Sequence, residues 1–463
     1  MKFKLPETLV IVSSILLLFI GLTWVVPAGE FDRTMVNGRS LLVPGSYQEV
    51  APSPQSLLSF FTAPLRGFAS ASEVIAFIFI VGGAFGMLNA TGAINAGLQK
   101  LVQFSSQHPV YKWIIIPFIM LIFSFAGATF GMSEEVLVFI LITIPLAHAM
   151  QLDTVVGVAI PFVGAGAGFA GAFYNPFTIG IAQGIAEIPT FSGLQYRLVV
   201  WTVMTFLAIS FVMLYALRIS KSPSKSVLYG QDALLQEENS KLKAENIPLT
   251  TSRILILFGF GGALLLLAWG VKVHGWYMVE IGALFLGLGI ISALIGQMGS
   301  GAMVKAFTEG AKEMMTACLV VAFCKGILLI AEDGKIIDSL LYYISEPVKK
   351  MPKGLSVEVM FMVQSALNFF LPSGSGQAAL TMPIMAPLSD LLGVSRQTAV
   401  LAFQLGDGLT NMIIPTSGVT MGVLAIGKIP YDKWLRFMLP LFVLLTVAGM
   451  LLLLGPVLFF EWQ

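Results

Sequence analysis

Residues 401–418 read Leu-Ala-Phe-Gln-Leu-Gly-Asp-Gly-Leu-Thr-Asn-Met-Ile-Ile-Pro-Thr-Ser-Gly. They fall in an apolar region, 360–430, that is long enough to enter a membrane, yet Gly406, Asp407, Gly408, Asn411 and Pro415 interrupt it. An ionised carboxylate at the centre of a membrane span costs about 2.5–3.5 kcal/mol. Non-helical backbone at that depth survives only where it is buried in protein or lines a wet cavity. Asp407 therefore needs a partner: a coupling cation, a proton, the ammonium of a ligand or, in a purely structural role, backbone amides or a lysine such as Lys325.

The same kind of interruption occurs in the region 128–190, at Gly164-Ala165-Gly166-Ala167-Gly168 running to Tyr174-Asn175-Pro176. Each of these two breaks is expected to unwind a helix in mid-membrane. Each is preceded by another break, expected to be the tip of a re-entrant hairpin: Gly127 to Glu135 in the first region and Leu371-Pro372-Ser373-Gly374-Ser375-Gly376-Gln377 in the second.

These paired breaks belong to a longer internal repeat. Phe61-Thr62 corresponds to Phe307-Thr308, Gly92-Ala93-Ile94 to Gly334-Lys335-Ile336, Pro145-Leu146 to Pro387-Leu388, and Ile188-Pro189 to Ile429-Pro430, with an offset drifting only from 246 to 241. One span precedes the first copy, and two more (253–271 and 277–298) separate a polar linker from the second. The copies are therefore expected to face opposite ways, an arrangement typical of carriers. The expected organisation is a first helix and extracytoplasmic loop (1–55), repeat one (56–217), a cytoplasmic linker (218–252), two scaffold helices (253–298) and repeat two (299–463).

The rest of the chain agrees with a polytopic, all-α membrane protein. Of its 463 residues 57% are apolar and 11% charged, against roughly a quarter charged in a soluble domain. Runs near the required ~20 apolar residues recur at 8–26, 72–96, 113–127, 196–217, 253–271, 277–298, 314–331 and 436–460. The seven tryptophans, Trp24, Trp113, Trp201, Trp269, Trp276, Trp434 and Trp462, fall near their ends, as an interfacial belt requires. The first run exceeds the roughly 7–15 residues of a signal peptide and no cleavage site follows, so it is expected to be retained. Lys2 and Lys4, with six basic residues in 218–253, put the N-terminus and linker in the cytoplasm. Lys335, Lys349, Lys350 and Lys353 in 332–354 oppose that topology, and the repeat symmetry is given precedence. Arg66 and Lys312 occupy amphipathic segments expected to lie along the membrane surface and anchor at headgroups.

Charge is balanced, 26 basic to 25 acidic, which offers no field for nucleic acid. Cys318 and Cys324 read as helix packing residues, and His108, His148 and His274 form no metal pattern. No zinc-binding HExxH, GxSxG turn or Walker loop is present, so a membrane enzyme is disfavoured. A channel is disfavoured by the inverted duplication, which suits alternating access. Half-helix N-termini favour carboxylates, and exposed carbonyls with Asn, Ser and Thr oxygens suit a cation. Candidate substrate ligands are Ser133, Glu134, Asn175, Ser373, Ser375, Asn411, Thr416 and Ser417. Asp407, Glu135 and Thr410 are candidates for coupling to sodium or a proton, with no other cofactor expected. Glu73 and Glu280, at helix ends, read as interfacial.

The run Val26-Pro27-Ala28-Gly29-Glu30-Phe31, the loop Val43-Pro44-Gly45-Ser46-Tyr47, the segment Phe79-Ile80-Val81-Gly82-Gly83-Ala84-Phe85-Gly86 and the two blocks within 406–418 resemble the YfcC family of DcuC-like carriers. The resemblance covers nearly the whole chain. It implies membership of an ion transporter superfamily of inverted-repeat, homodimeric, elevator-type secondary transporters in the cytoplasmic membrane, with substrate between two hairpin tips. By that analogy 118–190 and 360–430 move against a dimerising scaffold. Some superfamily members carry Ser-Asn-Thr at both tips, where this chain has Gly131-Met132-Ser133 and Ser373-Gly374-Ser375, so their sodium geometry does not transfer. The family name suggests C4-dicarboxylates, whereas relatives are also associated with arginine, ornithine and other amino acids. With Glu134, Glu135 and Asp407 in the breaks and no lysine or arginine there, the residues favour a zwitterionic or cationic amino acid, with a small carboxylate as the alternative.

Overall fold

A computed structural model describes residues 8–36, 39–43, 45–97, 100, 109–232, 234, 248–345, 351–460 and 462. Lys2, Lys4, Pro44, His108, Lys349, Lys350 and residues 233 and 235–247 of the linker lie outside them. Helix α1 (Thr8–Val25) leads to four short strands, β1 (Gly29–Glu30), β2 (Arg33–Val36), β3 (Arg39–Leu42) and β4 (Gln48–Glu49). These pair antiparallel as β1 with β4 and β2 with β3. The first copy then comprises α2 (Leu58–Ser70), α3 (Ser72–Ala90), α4 (Pro109–Phe130), α5 (Val136–Ala149), α6 (Thr154–Ala170), α7 (Ile179–Ile185) and α8 (Leu194–Lys221). Two helices, α9 (Thr251–His274) and α10 (Met278–Ile295), precede the second copy. It comprises α11 (Ser300–Glu313), α12 (Met315–Asp333), α13 (Ile337–Ser345), α14 (Lys353–Phe370), α15 (Gly374–Leu391), α16 (Arg396–Thr410), α17 (Gly418–Ile426) and α18 (Tyr431–Leu458). Among the described residues six helices are long and apolar enough to cross a membrane.

Backbone geometry sets the register between the copies. Helices α3 and α12 both have 19 residues and start 243 positions apart. Left-handed residues end equivalent helices at Gly92 and Lys335, Gln151 and Gly393, and Glu187 and Lys428. The pairing of Phe61 with Phe307 is therefore one helical turn out of phase, and Gly92 matches Lys335 rather than Gly334. The matched pair in the amphipathic helices is instead Ala63 and Gly67 with Ala306 and Gly310, the buried residues of α2 and α11.

Those small residues explain where α2 and α11 lie. Helix α2 packs along α12 and α11 along α3, so each approach helix is gripped by the long helix of the other copy. A Cβ at Gly67 would collide with the Ala322 carbonyl, and one at Gly310 with that of Gly82. Close backbone approach through Gly and Ala is the usual packing mode between membrane helices. Arg66 forms a forked ion pair with Asp333.

The packing defines two bodies. Helices α1 to α3 and α9 to α12 form one, and α4 to α8 with α14 to α18 form the other. They meet chiefly where α12 lies against α17. Helices α8 and α18 pack on α4, α6, α14 and α16, so they join the body that holds the hairpins. The start of the linker is fastened to that body as well. Asp153, the N-cap of α6, accepts from Tyr215 and Ser226 at 2.6 and 2.5 Å, and Asp232 accepts from Thr154 at 2.7 and 2.6 Å. The loop after α1 rests on the segment after α12: Gly29 N donates to Lys335 O, Phe31 N to Asp338, and Arg33 pairs with Asp338 at 2.9 Å. The two loops therefore share one face of the protein.

The tryptophans divide. Trp24 and Trp269 are exposed, but Trp434 is fully buried and its Nε1 donates to Met412 O at 3.0 Å, propping the irregular segment after α16. Its position near a helix end mimics an interfacial residue in sequence alone.

The glycines expected to unwind α6 and α16 do not do so. Helix α6 continues to Ala170 and α16 to Thr410. Gly168 lies on Ser124, Gly166 on Met412, and Gly408 on Ala170. The irregular segments begin later, at 171–178 and 411–417. Gly168→Ala would drive a Cβ into the Ser124 carbonyl. It is expected to lower stability by about 1–3 kcal/mol, measurable as a lower unfolding midpoint in detergent. Gly184→Ala, which meets nothing within 4 Å, is the control and is expected to leave the midpoint unchanged.

Candidate functional site

Four irregular segments converge on one cavity of about 320 Å³. The first hairpin tip, between α4 and α5, contributes Gly131, Met132, Ser133 and Glu134. The second, between α14 and α15, contributes Pro372, Ser373, Gly374 and Ser375. The segment after α6 supplies Phe177 and Thr178, and the segment from the end of α16 supplies Asn411, Met412, Thr416 and Ser417. Ser373 caps α15 by accepting from Gly376 N at 3.3 Å, and Ser417 caps α17 by accepting from Thr420 N at 3.4 Å. Two helix N-termini thus open on the cavity, each a weak positive pole.

Of the candidate substrate ligands, Ser133, Glu134, Ser373, Ser375, Asn411, Thr416 and Ser417 line the cavity. Asn175 does not. It is fully buried behind the first tip, and its Oδ1 accepts from Phe177 N at 2.9 Å, which holds the irregular segment in shape. Gly131, at φ 70°, presses its tip so close that a Cβ there would lie 2.6 Å from Asn175 Oδ1.

The coupling candidates separate by environment. Glu135 is buried and turns back to accept from Ser133 N at 3.0 Å, outside the cavity wall, so its geometry is that of a tip brace. Thr410 donates to Gly406 O at 2.5 Å and accepts from Asn368 Nδ2 at 2.7 Å. Asp407 is fully buried just behind the wall. Its Oδ1 accepts from Asn411 Nδ2 at 2.8 Å, whereas Oδ2 has no partner. A Cβ at Gly374 would sit 2.8 Å from that Oδ2 and 2.6 Å from Thr178 Cγ2. Glycine therefore allows the second tip to reach Asp407. Thr178 Oγ1 and Asn368 Oδ1 are likewise buried without partners. A buried carboxylate oxygen without a partner suits a small hard cation or a proton.

Sequence reasoning assigned no ligand role to Lys325, Tyr277 or Asn368. Lys325 belongs to no break, but as a mid-helix residue of α12 it reaches the cavity beside Cys324, within electrostatic range of Glu134. The available signal was that Lys325 is the sole charged residue in the run 314–331. The expectation of a site without a basic group is corrected by its presence. Cys324 is correspondingly a wall residue as well as a packing residue. Tyr277 lies before α10 and closes one side, with its ring 5.7 Å from that of Phe177. Glu280 caps α10 by accepting from Tyr277 N at 3.1 Å, in keeping with a helix-end role.

An internally duplicated, polytopic chain whose irregular segments converge on one cavity is an integral membrane transporter. The chain belongs to the DcuC family, described as C4-dicarboxylate anaerobic carriers, whose profile matches residues 5–458. It is 34% identical to the "Putative basic amino acid antiporter YfcC" of Escherichia coli (strain K12), over 98% of this chain and 96% of that protein. It is 29% identical to an uncharacterised protein of Haemophilus influenzae, over 97% and 96% of the two chains. Solved structures similar to it include Neisseria gonorrhoeae MtrF, of a class of antimetabolite efflux pumps, at 16% identity and TM-score 0.43, covering 99% of this chain and 96% of that one. Another is the Alcanivorax borkumensis YdaH transporter, at 17% identity and TM-score 0.42, covering 98% of each chain.

Proposed function

We propose that the protein is a secondary active transporter of a zwitterionic or cationic amino acid, of the arginine or ornithine type. The observation that carries this reading is the presence of Glu134 and Lys325 in the wall of one cavity. An amino acid offers its carboxylate to Lys325 and the N-termini of α15 and α17, and its ammonium or guanidinium to Glu134 and the cavity's hydroxyl and amide oxygens. Ser133, Ser373, Ser375, Asn411, Thr416 and Ser417 complete the ligand set. Sodium or a proton at Asp407 Oδ2 couples the cycle, or exchange of two amino acids drives it. A 34% identical relative whose name refers to basic amino acid antiport supports the same class.

Alternating access follows an elevator pattern. The body containing both hairpins moves against α1 to α3 and α9 to α12, with the cavity at their seam. The packing of α8 and α18 extends the moving body beyond 118–190 and 360–430. In the membrane the unit is a homodimer, with its N-terminus in the cytoplasm.

A small carboxylate is the second reading, favoured by Lys325 and the family's description. A dicarboxylate needs two charges balanced, and Glu134 opposes one of them. Uptake and counterflow in proteoliposomes with labelled arginine, ornithine, neutral amino acids and succinate decide between the readings. The expected result is saturable amino acid transport accelerated by amino acid on the opposite side. Movement of succinate alone would overturn the amino acid reading, and the absence of trans-acceleration would point to a channel.

A further inference from the structure

The cavity, at about 320 Å³, stands at the lower end of the roughly 300–1,000 Å³ common to ligand pockets, so it suits one small solute. Two aromatic rings in its wall come from opposite bodies. Tyr277 directly precedes α10, and Phe177 lies in the irregular segment between α6 and α7. The rings stand 5.7 Å apart at an interplanar angle of 33°. Tyr277 and Phe177 are 39% and 47% exposed, so neither ring is sealed into a core. The ligand set of hydroxyl, amide and charged groups leaves this part of the wall without a task.

Three carboxylates lie within electrostatic range of Tyr277: Glu134 in the wall, with Glu135 and Glu73 beyond it. An aromatic face attracts a cation that comes within about 6 Å of its centre, more strongly where water is excluded. Carboxylates beside the ring add to that attraction and repel an anion. An uncharged side chain gains packing from the rings and nothing from the acids. Lys325 supplies positive charge to the same wall and suits a carboxylate, which leaves the acidic aromatic corner to a positive group.

We infer that Tyr277 determines specificity for the substrate's side chain: its ring, beside that of Phe177, receives a side-chain guanidinium or ammonium whose charge Glu134 balances. The inference rests on the amino acid reading above and narrows it from zwitterionic or cationic substrates to cationic ones. Because the two rings belong to different bodies, the subsite is whole only where those bodies meet, and side-chain selection is made at the seam.

The test is the ligand-dependent rise of the unfolding midpoint of the full chain in detergent, which yields affinities without a labelled substrate. The ligands are arginine, leucine, succinate and citrulline, whose neutral ureido group has the shape of the guanidinium. Wild type is expected to favour arginine over citrulline and leucine. Tyr277→Leu is expected to weaken arginine by about 5–30-fold and citrulline by no more than about threefold, whereas Tyr277→Phe, which keeps the ring, holds arginine within about threefold. Equal weakening of arginine, citrulline and leucine in Tyr277→Leu would make the ring a packing surface and overturn the inference. So would a loss in Tyr277→Phe as large as in Tyr277→Leu, which would assign the contact to the hydroxyl. Wild type that binds leucine and citrulline as tightly as arginine overturns the inference and leaves the amino acid reading standing. Wild type that responds to succinate alone overturns both. If Tyr277→Leu does not fold, a trifluorinated phenylalanine at position 277 decides, because fluorine drains the negative face and nearly keeps the size. Arginine weakened relative to citrulline supports the subsite, and an unchanged ratio refutes it.

Discussion

Replacing Asp407 by asparagine is expected to lower coupled transport by about 10–100-fold, the equivalent of losing one contact of about 1.5–3 kcal/mol to a charged group, while the unfolding midpoint holds or rises. The two readouts move apart because the two carboxylate oxygens have different roles. Oδ1 accepts from Asn411, a bond that the oxygen of an asparagine side chain preserves. Oδ2 accepts nothing within the protein, so replacing it removes no internal bond and relieves a buried charge. Transport measured in proteoliposomes with sodium removed, and separately with pH stepped, names the coupling ion. Wild type should lose activity in one of the two series, and Asp407→Asn should respond to neither. Near wild-type uptake by the variant would remove Asp407 from the coupling role. A fall in the unfolding midpoint matching the fall in transport would instead make it a structural carboxylate.

Asp407 was readable in the sequence because a membrane interior penalises a carboxylate so heavily that its presence demands a reason. The hairpin tips were readable for a related cause: Pro372-Ser373-Gly374 cannot continue a buried helix without freeing backbone groups. Gly164 to Gly168 and Gly406 to Gly408 misled because glycine has two uses in a membrane helix. It permits unwinding, and it also permits close packing. Which use applies depends on the neighbour, here Ser124, Met412 and Ala170, and a neighbour distant in sequence leaves no local trace. The same limit hid the role of Asn175. Its type and position beside a break were visible, but its amide faces the backbone of Phe177 and not the cavity.

Lys325 carries the second large prediction, because it is the residue that separates an amino acid site from a mere cation site. Helix α12 brings it to the cavity from the other body, so the two bodies contribute opposite charges, Lys325 from one and Glu134 from the other. A ligand with both an anionic and a cationic group can bridge that seam, whereas a simple amine engages Glu134 alone. Wild type should therefore prefer arginine to its decarboxylated counterpart agmatine, and Lys325→Gln should erase the preference. Arginine affinity is expected to weaken by about 10–100-fold on loss of a charge-assisted carboxylate contact, with agmatine little changed or improved as repulsion from the lysine disappears. Competition against labelled arginine in proteoliposomes gives all four affinities of the cycle. Equal weakening of both ligands would mean that Lys325 serves only to hold Glu134 in place. The carboxylate would then have to be taken by the N-termini of α15 and α17, both of which belong to the hairpin-bearing body. Substrate recognition would in that case lie within one body and no longer depend on the seam between the two.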